Sequence, residues 1–151
     1  MTRSIPHATL GLIVALPCLT PSCDSIATSL GGNVRVIIEN NTAFEALPDI
    51  NTSDSTNFFD DIFTEGDNVT DFGDHGAVPA NTTVTFYITC DDSLQHIAIG
   101  DVDFRDNHDD QVGSTNANAS LRRDSDFDCG DTIRITLSGH EDDFSSDVNV
   151  E

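Results

Sequence analysis

The sequence predicts an all-β domain built as a small antiparallel β-sandwich with long acidic loops. Three observations carry this. Short apolar runs alternate with polar residues at period two, the spacing of a strand with one buried face. Clusters of Asn, Asp, Pro and Gly separate these runs, as turns between strands require. No stretch has the 3.6-residue periodicity of an amphipathic helix of useful length, and no internal repeat is present. The chain is 37% apolar, with nine Phe and no Trp, which is thin but adequate for a small core.

Taken in order, Val34-Arg35-Val36-Ile37-Ile38-Glu39 is strand-like and Asn40-Asn41-Thr42 supplies a turn. Phe44 to Thr52 reads as a second strand, interrupted or placed at an edge by Pro48. Asp54 to Gly76 is a long acidic stretch. Within it, Phe58 to Phe63 reads as one helical turn or as a loop docking on the core. Pro79-Ala80-Asn81 is a turn. Thr82 to Cys90 is the clearest strand, with Val84, Phe86, Ile88 and Cys90 on the inward face. Leu94 to Phe104 is another strand; its apolar phase switches between Ile99 and Val102, which places a β-bulge at Gly100. Asp106 to Ser120 reads as a polar loop. Asp131 to Ser138 is a strand with Ile133, Ile135 and Leu137 on one face, and Phe144, Val148 and Val150 mark a last strand. Six or seven strands with this spacing fit an immunoglobulin-like sandwich.

Charge narrows the function classes. The chain has 27 Asp and Glu against 6 Arg and no Lys, a formal net charge of −21. Phosphate recognition depends on cationic side chains, so nucleic acid is not an expected partner. An anionic membrane surface would repel the domain body. Its self-repulsion would be relieved by salt or bound cations, as in an extracellular medium.

The first thirty residues read as a targeting segment. Arg3 precedes the apolar run Leu10 to Leu16, and no acidic residue appears before Asp24. The run is too short to span a bilayer, and small residues follow it, as in a secretory signal peptide. Leu19-Thr20-Pro21-Ser22-Cys23 resembles a bacterial lipobox. That resemblance implies cleavage before Cys23, acylation of Cys23 and a membrane anchor at the chain end. Ordinary signal-peptidase cleavage after Ala27 is the alternative and would release a soluble extracellular product. The expected organisation is a signal peptide over 1–22, a flexible tether over 23–32 and a β-sandwich over 33–151, located at the cell envelope or surface.

With the signal removed, Cys90 and Cys129 remain for the body of the domain. Each shares parity with the apolar positions of its own strand, so both point inward. In an exported protein that pair is expected as a disulfide. A blue-copper site at Cys90 and His96 is rejected, because the chain has no suitable Met and lacks a second well-spaced His.

Little else suggests chemistry. Asp124, Asp126 and Asp128 alternate as in the opening of a calcium loop, and are the candidate metal ligands. The positions an EF-hand fills with Gly and Glu hold Cys129 and Ile135, so an EF-hand is excluded, and a solvated acidic turn is the competing reading. Asp101, Asp103, Asp106, Asp109 and Asp110 form a second acidic group, interrupted by Arg105. His75, His96, His108 and His140 lack zinc-site spacing, and neither a nucleophile elbow nor a phosphate loop occurs. Asn40, Asn51, Asn68, Asn81 and Asn118 open N-x-Ser/Thr sequons. No catalytic residue and no required cofactor are expected, with Ca²⁺ the one candidate.

The whole pattern resembles small bacterial envelope lipoproteins with a single β-sandwich domain, most clearly in Val34–Thr42, Phe86–Asp92 and Phe127–Leu137. The resemblance brings no activity with it. The expectation is a non-catalytic, surface-displayed structural or binding domain, contacting an extracellular protein or glycan and touching the membrane only through its N-terminal lipid. A Ca²⁺-dependent carbohydrate or protein recognition module is the alternative, and a hydrolase comes third.

Overall fold

The computed structural model describes residues 32–55, 66–70, 72–73 and 76–151. The signal peptide, Cys23 and the segment Phe58 to Phe63 lie outside these residues. Eight strands run in chain order: β1 (Val34–Asn40), β2 (Glu45–Ser53), β3 (Asp67–Asn68), β4 (Thr82–Ile88), β5 (His96–Arg105), β6 (Gln111–Arg122), β7 (Thr132–His140) and β8 (Asp143–Val150). They form two four-stranded sheets, β4-β1-β7-β8 and β3-β2-β5-β6, packed as a sandwich. Among the described residues no helix is long and apolar enough to cross a membrane. The predicted fold class holds, with one departure in pairing: β1 and β7 run parallel, while the other pairs are antiparallel.

The period-two pattern chooses the buried face. Val34, Val36 and Ile38 of β1, Phe86 and Ile88 of β4, and Ile133, Ile135 and Leu137 of β7 meet Ala46, Ile50, Ile97, Ile99, Val102 and Phe104 of the opposite sheet in one core. Burying a side chain such as Leu137 contributes roughly 1.5–3 kcal/mol.

The bulge predicted at Gly100 is present. Pro48 pairs with Val102 but Ile50 pairs with Ile99, so β5 carries one residue more than β2 across this step. The extra residue lets Ile97 and Ile99 share a face with Val102 and Phe104. Pro48 is tolerated because of where its missing N–H would point. Ala46 exchanges hydrogen bonds with Val78, and Ile50 accepts from Val69 N, on the side of β2 away from β5. Pro48 shares that orientation, so the ladder to β5 needs nothing from its nitrogen.

One prediction is corrected. Asp106 to Ser120, expected as a polar loop, is a tight turn followed by most of β6, a twelve-residue edge strand. Its half-buried positions Val112, Thr115, Ala117, Ala119 and Leu121 alternate with exposed polar ones. Val112, Ala117, Ala119 and Leu121 pack against the core, and at Gly113 the missing side chain makes room for Phe144 of β8. A Cβ on Gly113 would lie 2.7 Å from the Phe144 ring. That ring stacks on Phe104 at 3.9 Å and meets Phe44 edge-on at 5.7 Å. Near Gly113 the apolar volume is therefore supplied by β8, and Gly113, Thr115 and the two alanines leave only a faint apolar pattern in β6. This aromatic contact closes the β6/β8 side of the sandwich.

Cys90 and Cys129 form the expected disulfide, with Cα atoms 5.6 Å apart. It ties the chain just after β4 to the chain just before β7.

Candidate functional site

The candidate calcium ligands do not converge. Asp126 turns back, its Oδ2 accepting from Arg122 N at 2.8 Å, and Asp128 N donates to Asp131 Oδ2 at 2.7 Å. Asp124 has φ 60° at the start of this turn, and all three carboxylates are exposed. Among the described residues no group of three His, Cys, Asp or Glu side chains is placed to hold a metal ion. In the second acidic group, Asp106 organises the turn before β6, its Oδ1 accepting from His108 N and Asp110 N. Arg105 pairs with Asp109 at 2.7 Å. These are turn-building contacts of the kind short Asp side chains make with nearby backbone.

Two sequons belong to the interior. Asn40 is fully buried; its Nδ2 donates toward Phe44 O at 2.8 Å, Val78 O at 3.0 Å and Pro79 O at 3.2 Å. Its Oδ1 accepts from Thr42 N and Thr42 Oγ1. Asn51 is buried, and its Nδ2 donates to Asp49 Oδ1. Neither amide can carry a glycan in this fold, whereas Asn68, Asn81 and Asn118 are exposed. The sequence pattern cannot separate the two groups, because a sequon says nothing of burial. His96 is likewise buried, its Nδ1 donating to Ser55 O at 2.7 Å.

No sequence motif marks the remaining feature, the sheet edge at β4. Arg35 N donates to Asp131 O and Asn41 N to Leu137 O, so the odd residues of β1 direct their backbone groups toward β7. The even residues therefore serve β4, through the pairs Val34–Ile88, Val36–Phe86, Ile38–Val84 and Asn40–Thr82. It follows that Thr83, Thr85 and Tyr87 direct their N–H and C=O groups outward, along the edge. Tyr87, 62% exposed, is the large apolar side chain displayed to solvent among the described residues. The reason is its parity: with Phe86 and Ile88 inward, Tyr87 falls on the outer face.

Beside this edge, between β4 and the β2–β3 pair, runs a groove. One part has a volume of about 330 Å³ and is lined by Thr52, Asp54, Asp67, Ile88, Asp91 and Ser93 among others. A second part, about 240 Å³, continues past Asn68, Thr70, Phe86 and Tyr87. Phe72 stacks on Phe86 at 4.5 Å and closes the groove toward the core. The outer face next to Tyr87 is tied together by Arg134 of β7, which pairs with Glu39 and, at 3.0 Å, with Glu151.

Hydrogen bonds from Ser93, side chain and then backbone, hold the Asp91 carboxyl below its ordinary range. The backbone N–H groups of His108 and Asp110 do the same for Asp106, and Arg134 does it for Glu151. Folded values depressed in this way contribute stability that is complete above the usual carboxylate range and is lost as pH falls through the lowered values. In a carboxyl-detected NMR titration Asp91, Asp106 and Glu151 should protonate below the usual carboxylate range. Protonation within that range would show these contacts to be absent in solution.

Among the described residues, fold and site thus define a β-sandwich with aromatic packing between β6 and β8 and a groove along the edge strand β4. No protein-family model matches the chain, and no curated protein matches it. Among solved structures it is similar to the membrane-binding domain of pneumolysin, at 10% identity and TM-score 0.46 over 79% of this chain and 97% of that one. It is similar to a non-hemolytic pneumolysin from Streptococcus pneumoniae, at 11% identity and TM-score 0.43 over 79% of this chain and 24% of that one. Similarity to listeriolysin O is at 11% identity and TM-score 0.45, over 79% of this chain and 22% of that one. The chain spans about a quarter of the length of the latter two.

Proposed function

We propose that this chain is a non-catalytic binding domain, carried at the cell envelope by an acylated Cys23 and contacting an extracellular protein or glycan through the β4 side of the sandwich. The observation that carries the reading is Tyr87, a large aromatic side chain held in solvent on a sheet edge that no described strand pairs with, beside a groove. Exposed aromatic rings flanked by hydrogen-bonding groups are the usual anchors of recognition surfaces. The tether expected over 23–32 would let the acidic body stand away from an anionic membrane surface.

Two measurements test this. Cys23→Ser should move the protein from the membrane fraction to the soluble fraction and abolish metabolic labelling with fatty acid; a wild-type product beginning at Thr28 would remove the anchor. On glycan and extracellular-protein arrays, Tyr87→Ala should weaken the strongest interaction by tenfold or more, while its melting temperature stays within a few degrees of wild type. Binding that is indifferent to Tyr87 would sink the assignment of the surface.

A further inference from the structure

We propose that β4 is a docking strand for an extended, cationic peptide segment of a partner protein, which would add to the β4-β1-β7-β8 sheet next to β4. This rests on the reading of the domain as a binding module and names the chemistry of its ligand. The backbone groups that point outward from Thr83, Thr85 and Tyr87 form the repeating donor–acceptor row that strand addition uses.

The four sheet edges are not equivalent. β3 has two residues. β6 is interrupted by register shifts and by Asn118 at φ 47°. β8 carries Asp143 and Asp147. β4 has none of these protections: it is seven residues long, holds no charge and no proline, and pairs with β1 without a register shift. A long, regular, uncharged edge is a template for another strand unless something is meant to cover it.

Charge selects the occupant. Asp54, Asp67 and Asp91 line the adjoining groove, and the chain as a whole carries −21. A second copy would bring its own −21 against this one, whereas Arg or Lys side chains of an incoming strand would meet the groove carboxylates. The other side chains of that strand would lie on the outer face, beside the Tyr87 ring.

The test uses a fluorescent peptide of alternating Arg and Val, an alternating Glu and Val control, and an Arg–Val peptide N-methylated on alternate residues. Anisotropy should show the first binding and the other two at least tenfold weaker. Thr85→Pro removes one outward N–H while the β1 ladder, served by the even residues, stays intact. It should weaken the Arg–Val peptide tenfold or more with little change in melting temperature, and Asp67→Asn with Asp91→Asn should weaken it several-fold and flatten its salt dependence. Equal affinity for the N-methylated peptide would overturn strand addition whatever the fold of the proline variant. So would unchanged binding to a folded Thr85→Pro protein. A wild-type dimer in sedimentation that Thr85→Pro dissociates would instead make a second copy the occupant. Loss of array binding in Tyr87→Ala, with peptide binding unaffected by Thr85→Pro, would refute this inference and leave the binding-domain reading standing.

Discussion

Replacing Cys90 and Cys129 together by alanine is expected to cost on the order of 4 kcal/mol, with the melting temperature falling by roughly 10–20 °C. The bridge spans 39 residues of sequence, so most of its effect on the chain-entropy account is exerted on the unfolded state. Its ends matter as well. Cys90 is buried and Cys129 packs against the core, so the double variant also leaves unfilled space at the sandwich end. A typical domain is stable by ~5–15 kcal/mol, so the loss consumes a large share. The measurement is thermal unfolding of wild type, wild type under reductant, and the double alanine variant. A midpoint that moves by less than a few degrees would mean that the core alone maintains the fold.

Asn40→Asp is expected to be of comparable size, about 3–5 kcal/mol at neutral pH. The substitution is nearly isosteric but replaces a donor with an acceptor. The amide nitrogen now satisfies the carbonyls of Phe44, Val78 and Pro79. A carboxylate oxygen would face the same oxygens without water. Burial and these dipoles would raise the carboxyl's folded pKa above its unfolded value. The penalty therefore grows as pH rises from the unfolded pKa toward the folded one, and shrinks in acid. Melts at pH 7.5 and pH 5 should show a smaller deficit at the lower pH. An equal deficit at both would mean that the lost donor, rather than the introduced charge, accounts for the cost. Because Asn40 joins the end of β1 to the turns at Phe44 and Pro79, local disorder there should accompany the loss.

Most strands were legible in the sequence because each carries its own evidence. β4 alternates Val84, Phe86 and Ile88 with Thr85 and Tyr87, and β5 announces its bulge by the phase change around Gly100. The bridge between Cys90 and Cys129 was expected from parity and from the exported setting the N-terminal segment suggests. β6 was not legible, since its inward positions include Thr115, Ala117 and Ala119, too weakly apolar to stand out, and at Gly113 the packing side chain is Phe144, distant in sequence. β3 was not legible either, because two residues are too short for periodicity to register. At the site, the parity that exposes Tyr87 could be read directly, but an exposed Tyr on a strand is unremarked until its strand is known to be an edge. The alternating carboxylates Asp124, Asp126 and Asp128 gave a stronger local pattern, yet their turn separates them.

The sequence by itself determined the fold class, the inward residues of the main strands, the disulfide partners and the acidic character, because these depend on periodicity, parity and composition. Tertiary structure decided the parallel meeting of β1 and β7, the closure along β6 and β8, the burial of Asn40 and Asn51, and the exposure of the β4 edge. Those outcomes depend on which strands become neighbours. The free energy that selects neighbours comes from apolar surfaces and backbone groups contributed by distant segments, and no local window of the chain contains both partners.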